Sequence, residues 1–513
     1  MRKNGQTGNT EGEPQNSCRK TPVKVSQGES SQVGELPPQI PRLNKITKRT
    51  HLRNSQVPVN SGLCAFSVAH SKKNEPIFRG NFPIWGRKSH RQSFLKLLAA
   101  FLFIFATSIR GFSANLPSLP HDAYVWQHAW NDSVVEAVTN HGPAFSNLVV
   151  FKAEIVWRNG QPEVIPARVD YAALAATHRP IGIALRVNGY SGPFSAEAQT
   201  TTFLSQLATT LIAEARSNGI VPSEFQIDFD CAASKLDGYR IWVETIRKKI
   251  APIPLTITAL PSWLKEPSFK PLAEATDGYV LQVHSLERPK DINAPFTLCD
   301  PIAARRAVEQ AGKIHVPFRV ALPTYGYLLA FDKAGKFVGL SAEGPSKSWP
   351  EGVQVREVRA DPTEMAHLVQ FFTTNRPPTL RGIIWYRLPT IVDNFNWHWP
   401  TLGAIVASHF PRESFRGETR LVETGLVEIN LVNDGELDLS SRLVVEVRWS
   451  RSGGARLVAS DGLHGFTMLN AGTSSITFQN QSQPGRFAAG DRQTIGWLRF
   501  DRDCEVQLEV KKF

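Results

Sequence analysis

Between Ala123 and Leu388 short apolar runs recur, mostly separated by stretches whose apolar residues have helical spacing. The runs are Ala123–Trp130, Asn147–Trp157, Ile181–Asn188, Phe225–Asp230, Leu255–Leu260, Tyr279–His284, Phe318–Tyr325 and Gly382–Leu388. Each has an apolar, β-branched or aromatic centre, as a parallel strand buried on both faces requires. The intervening segments Ala196–Ser217, Leu236–Ile250, Asp300–Ala311 and Asp361–Thr374 read as helices. Asn218-Gly219 stops the first, and Asp300-Pro301 and Asp361-Pro362 each offer an N-cap followed by proline. Eight such strands with helices between them predict a (β/α)8 barrel over residues 114–410, with an open doubly wound sheet as the alternative. No strand is followed by a GxGxxG or GxxxxGK[ST] loop, so the nucleotide-binding versions of the open sheet lose support and no cofactor is expected.

The rhythm changes past Phe415. Period-two runs at 426–433, 443–449, 494–500 and 504–510, with turns at Asn433-Asp434-Gly435 and Ser452-Gly453-Gly454, predict a small β-sandwich over 416–513. No aromatic row marks it as a sugar binder, so a packing or spacer role is expected.

The net charge of +12 would suggest an anionic partner, but it is unevenly placed. Residues 1–113 hold 18 Lys/Arg against 5 Asp/Glu, and the rest hold 40 against 41. The expected folded part is therefore close to neutral, and nucleic-acid binding by bulk charge is not supported. Residues 1–90 are polar and basic without apolar periodicity, the signature of a disordered leader. Arg87–Arg91 then precede an apolar run at 94–109 and small residues up to Ser113. The segment 91–113 reads as a signal peptide cut after Ser113, with a membrane anchor through 94–109 as the alternative. The run begins far from Met1 and the next methionine is Met365, so an assigned start upstream of the true one is expected. The chain is accordingly expected to be exported: periplasmic, extracellular or membrane-anchored. Of the five cysteines, only Cys231, Cys299 and Cys504 lie outside the leader, and Cys231 with Cys299 is the candidate bridge.

In such a barrel, functional groups collect at the C-terminal ends of the strands. Side chains alternate along a strand, so Gln226, Asp228 and Asp230 are expected to share the interior side. Two carboxylates packed there cannot both ionise cheaply, so one is expected to act as an acid beside a charged neighbour. His284 stands at another strand end, and Trp126, Trp263, Tyr325 and Trp385 are candidates to line a sugar cleft, with barrel packing as the rival role. No His/Cys/Asp cluster has metal-ligand spacing, so no metal is expected, and there is no GxSxG elbow.

These strand ends resemble family 18 glycoside hydrolases, the chitinase-like (β/α)8 barrels. Phe225–Asp230 stands where that family carries its DxxDxDxE strand. Leu322-Pro323-Thr324-Tyr325-Gly326 resembles its P-x-Y-G motif, and Gly382–Trp385 the segment whose Trp floors the sugar site. The resemblance departs at the acid. With Asp230 as the last Asp of the motif, the position of the catalytic Glu falls on Ala232. Shifted by two, Asp230 takes the acid's place and Asp228 the supporting one. The resemblance then implies cleavage assisted by a substrate N-acetyl group, with Tyr325 orienting it. The stretches Gln226–Asp230, Tyr239–Val243 and Leu255–Trp263 also resemble an uncharacterised family of exported bacterial proteins, a domain of unknown function that brings no activity with it. The expectation is a glycoside-hydrolase-like protein acting on an envelope or extracellular polysaccharide. A non-catalytic glycan-binding barrel and a structural or assembly protein of the envelope are the alternatives.

Overall fold

A computed structural model describes residues 118–285, 287–341, 349–439, 442–450, 454–469, 472–480 and 486–512. The leader at 1–90 and the apolar segment at 94–109 lie outside them.

The described chain runs β1 (His121–Val125), α1 (Asp132–His141), β2 (Leu148–Arg158), β3 (Gln161–Pro166), α2 (Tyr171–Ala176), β4 (Ile181–Val187), α3 (Gln199–Ser217), β5 (Phe225–Asp228), α4 (Leu236–Ile250), β6 (Leu255–Ala259), α5 (Phe269–Glu274), β7 (Gly278–Gln282), α6 (Pro301–Gly312) and β8 (Phe318–Pro323). Three strands then form a small sheet: β9 (Gly326–Phe331), β10 (Phe337–Ser341) and β11 (Gln354–Arg359). After it come α7 (Pro362–Thr374), β12 (Leu380–Tyr386) and α8 (Trp399–Val406).

Strands β1, β2, β4, β5, β6, β7, β8 and β12 pair in parallel, and β1 closes on both β2 and β12. The fold is a closed eight-stranded (β/α) barrel, with β3 as an antiparallel hairpin on β2. All eight expected strands are present. Strands β5, β7, β8 and β12 stop two residues before the apolar run does, which leaves Asp230, His284 and Tyr325 on the loops that follow. Each helix buries one stripe: on α4 that stripe is Leu236, Tyr239, Trp242, Val243, Ile246 and Ile250. Asp300 and Asp361 cap their helices by accepting from two backbone amides each.

The small sheet β9–β11 and the hairpin β3 were not expected from the sequence. Their alternation is short and interrupted, and tertiary pairing alone gives β9 its two neighbours. The candidate bridge is not formed: Cys231 and Cys299 are both buried free thiols.

Eight further strands follow: β13 (Phe415–Glu423), β14 (Leu426–Asn433), β15 (Leu443–Trp449), β16 (Leu457–Gly462), β17 (Phe466–Leu469), β18 (Ser475–Asn480), β19 (Arg492–Phe500) and β20 (Val506–Lys512). They form two four-stranded antiparallel sheets, β13-β14-β19-β16 and β17-β18-β15-β20. One apolar layer between them holds Ile429, Leu431, Val445, Val447, Phe478, Ile495 and Leu498, a sandwich arrangement.

Candidate functional site at the C-terminal mouth of the barrel

Cross-barrel contacts identify the inward face of each strand. Gln226 on β5 donates to the Tyr124 hydroxyl on β1 at 2.6 Å. Alternation then places Asp122, Tyr124 and Trp126 inward from β1, Glu224, Gln226 and Asp228 from β5, and Ile384 and Tyr386 from β12. The next residues along, including Trp385, point outward to the helices.

Asp228 is the last residue of β5 and is buried. Its Oδ1 accepts the Thr258 hydroxyl of the neighbouring strand at 2.7 Å, and its Oδ2 faces Arg186 Nε at 3.9 Å. Arg186 also lies 3.6 Å from Glu154, whose Oε1 accepts from Asn188 at 2.9 Å. Burial would lower the Arg186 guanidinium, but Asp228, Tyr386, Glu154 and Asp230 together hold it above its ordinary value. Asp230, two residues past the strand end, is exposed along part of its surface. Protein packed around the rest of the side chain still withholds water, and the charge of Asp228 adds repulsion. Against the attraction of Arg186, the two raise its carboxyl from 3.8 to about 6. A carboxylic acid that keeps its proton into the mildly acidic range stands beside a second carboxylate and a cation. That arrangement can deliver a proton to a leaving oxygen.

His284 is buried at the end of β7, with Nδ1 3.2 Å from the Tyr325 hydroxyl. Burial lowers its pKa to about 3, so it is neutral and serves as a hydrogen-bonding partner. Tyr325 is buried and sits edge-on to Tyr327 as well. Its hydroxyl is taken up inside the protein, which argues against a free role in orienting a substrate acetamide. Trp126 is inward but 5% exposed, packed on Tyr124, Phe151 and Tyr386. Gln226 is fully buried one layer below the mouth.

Two expected cleft residues are placed elsewhere. Trp385 is 0% exposed, points into the helix layer, and donates Nε1 to His121 Nδ1 at 3.0 Å. Trp263 follows β6 but packs outside the barrel on Tyr239 and Phe269. Strand parity is the reason for Trp385: the inward position at the end of β12 belongs to Tyr386. This half-buried ring meets Trp126, His284 and Tyr325 at centroid distances of 5.6, 5.7 and 5.4 Å.

The sequence reading missed Glu154, Arg186 and Thr258, and at the end of β12 it gave the sugar-lining place to Trp385 and not to its neighbour Tyr386. A usable signal was present: Glu154 and Arg186 are charges set inside otherwise apolar strand runs, where an unpaired charge would not be tolerated.

The opposite end of the barrel is polar for another reason. Arg319, half-buried, is held between Asp122 at 2.8 Å and Glu224 at 2.6 Å, and Thr256 also donates to Glu224 at 2.7 Å. Gly182 makes room for this cluster, since a Cβ there would stand 2.7 Å from Glu224 Cγ. A depression of about 400 Å³ opens over it, lined in part by Asp277, Arg319 and Arg381. It lies a barrel length from Asp228 and Asp230. Chemistry is assigned to the mouth because the raised carboxyl of Asp230 has no hydrogen-bond donor among the described residues, whereas Asp122, also raised by burial, is bonded to Arg319, and Glu224 to Arg319 and Thr256. Among the described residues no group of three His, Cys, Asp or Glu side chains is arranged to hold a metal ion.

The barrel segment has a counterpart among known families. Residues 177–391 match the family described as Domain of unknown function (DUF3142). The DUF3142 match runs from just before β4 to just after β12, and so contains Arg186, Asp228, Asp230, His284, Tyr325 and Tyr386 but not Glu154 or Trp126. It agrees with the resemblance to an uncharacterised family read from Gln226–Asp230 and Leu255–Trp263.

No curated protein matches the chain. Among solved structures, the spore cortex-lytic enzyme SleL of Bacillus cereus is similar at 15% identity, covering 57% of this chain and 74% of its own, with a TM-score of 0.41. A chitinase from Chromobacterium violaceum is similar at 15% identity, covering 57% and 98%, with a TM-score of 0.41. A xylanase and alpha-amylase inhibitor protein from Scadoxus multiflorus is similar at 12% identity, covering 57% and 97%, with a TM-score of 0.37.

Proposed function

We propose that this chain is an exported glycoside-hydrolase-like protein that acts on an envelope or extracellular polysaccharide, with Asp230 as general acid. The observation that carries the reading is the Asp230 carboxyl, raised to about 6 at the barrel mouth beside Asp228 and Arg186. It favours the register in which Asp230 replaces the family 18 glutamate over the one that leaves Ala232 at that position. In the proposed step the glycosidic C–O bond breaks and the Asp230 proton passes to the leaving oxygen. The substrate's own N-acetyl oxygen closes on the anomeric carbon. Water then opens that ring and returns a proton to Asp230. Asp228, held by Thr258, steadies the positive charge that develops. Tyr386 is the aromatic surface offered to the sugar, in place of Trp385. Export rests on the basic stretch at 87–91 followed by the apolar run at 94–109.

Incubating the protein with chitooligosaccharides and with peptidoglycan, followed by mass analysis of products, tests this reading. Shortened oligosaccharides formed by wild type and lost in Asp230→Asn support it. Glycan retention without cleavage by wild type and variant alike replaces it with the binding-barrel reading. Neither cleavage nor retention removes both.

A further inference from the structure

The sandwich does more than pack beside the barrel. We propose that Arg486 and Asp438 of the sandwich segment are positioning residues that hold the loop leaving β12, and through it the Tyr386 side of the barrel mouth. Arg486 Nη1 donates to the carbonyl oxygens of Asp393 at 2.7 Å and Asn394 at 2.9 Å, and Nη2 to that of Asn396 at 2.5 Å. Its Nε donates to Asp438 Oδ2 at 2.9 Å. Arg359, at the end of β11, reaches the same Asp438 oxygen at 3.3 Å and the same Asn394 carbonyl at 2.9 Å. Two guanidinium groups thus gather the carbonyls of one loop around a single carboxylate. The planar fork of arginine suits this, because several donors are presented in fixed directions.

The loop passes the constraint inward. Asp393 Oδ1 accepts from Arg387 Nη2 at 2.7 Å, and its Oδ2 from the Thr390 amide at 2.8 Å. Arg387 directly follows Tyr386, the ring that meets Trp126, His284 and Tyr325. The Arg387 carbonyl accepts the Thr324 hydroxyl at 2.7 Å, and the Leu388 amide donates to Tyr124 O at 2.8 Å. Within the sandwich segment, Leu439 donates to Phe487 O at 2.9 Å, so the residues next to Asp438 and Arg486 are tied together before they meet the loop. Ile391 and Val392, 71% and 61% exposed, stand on this loop. Leu388 and Trp397 bury the two ends of the loop, but apolar side chains placed like Ile391 and Val392 do not hold its tip, whose shape depends on the polar bonds. The inference takes from the proposed function only that the mouth is the working end.

Hydrogen exchange on the whole chain, comparing wild type with Arg486→Ala and Arg486→Lys, tests the clamp. The Thr390 and Asp393 amides should exchange about tenfold faster in Arg486→Ala, as expected for loss of charge-assisted bonds, with the barrel strands unchanged. Arg486→Lys should fall between, since one ammonium cannot reach three carbonyls and Asp438 together. Unchanged exchange at Thr390 and Asp393 in both variants overturns the proposal, and so does faster exchange spread evenly over the barrel. Should Arg486→Ala fail to fold, the lysine variant decides alone. Where wild type cleaves chitooligosaccharide, Arg486→Ala should raise KM several-fold and leave the limb of the pH profile set by Asp230 in place. A wild type inert toward glycans removes the proposed function, while the exchange data still decide the clamp.

Discussion

The Thr258 hydroxyl donates a hydrogen bond to Asp228 Oδ1 at 2.7 Å, across the seam between β6 and β5. One lone pair of Asp228 is thereby occupied inside the barrel, while its second oxygen faces Arg186. Asp230 has no such donor among the described residues, and burial together with the charge of Asp228 raises its carboxyl. In the proposed reaction this asymmetry makes Asp228 the anchored neighbour and Asp230 the proton carrier.

A pH dependence follows. If Asp230 delivers the proton, kcat/KM should fall as pH rises through about 6, the value at which its carboxyl loses that proton. Asp230→Asn should lower the rate about 10²–10⁴-fold, the usual worth of general acid catalysis. The folded chain holds this proton between about 4 and 6, where the unfolded chain has released it, so this group's contribution to stability declines as pH rises across that window. Asp230→Asn should flatten that slope, which denaturant titrations at several pH values will read.

The buried histidines act in the opposite sense. His284 is lowered to about 3 and His121 to about 4, both by burial. Below 6.5 the unfolded chain binds protons there that the folded chain refuses, so stability is lost as pH falls toward 4. His284→Gln should reduce this acid sensitivity. An unchanged acid limb of the stability curve counts against the assignment.

Arg319 is predicted to be the most costly single charge to remove. Arg319→Met leaves Asp122 and Glu224 buried beside one another without their cation, a loss of about 3–5 kcal/mol of folding free energy. Burial already raises the Asp122 carboxyl, with Arg319 opposing it. Part of the variant's lost stability should therefore return as pH falls and the carboxylates take up protons. Urea unfolding at neutral and acid pH checks both statements.

For Trp385 a structural role is predicted. Trp385→Ala empties a large, fully enclosed site and should cost about 3–5 kcal/mol. Trp385→Phe leaves His121 Nδ1 without its donor, at about 1–3 kcal/mol. Glycan affinity of the phenylalanine variant should match wild type, while Tyr386→Ala should weaken it. Isothermal titration with a bound oligosaccharide separates the two, and the reverse order would restore Trp385 to the cleft.

The eight barrel strands and the helices α3, α4, α6 and α7 were legible in the chain itself. Their signals are local: short apolar runs, helical spacing, and an aspartate before a proline. The Asp228/Asp230 pair was legible for the same reason. The direction of Trp385 was not. It depends on where β12 begins its alternation, and a shift of one residue exchanges Trp385 for Tyr386. Arg186 and Glu154 lie 32 residues apart in the chain, and only the parallel pairing of β2 with β4 brings them together beneath the acid pair. The grip of Arg486 on residues 393–396 spans about ninety residues and two kinds of sheet. Charges find partners across such separations only once the apolar faces have packed, because solvent screens them in the extended chain and burial makes an unpaired one costly. Periodicity and capping are short-range and survive in a string of letters, whereas register, parity and long-range pairing are decided when the barrel closes.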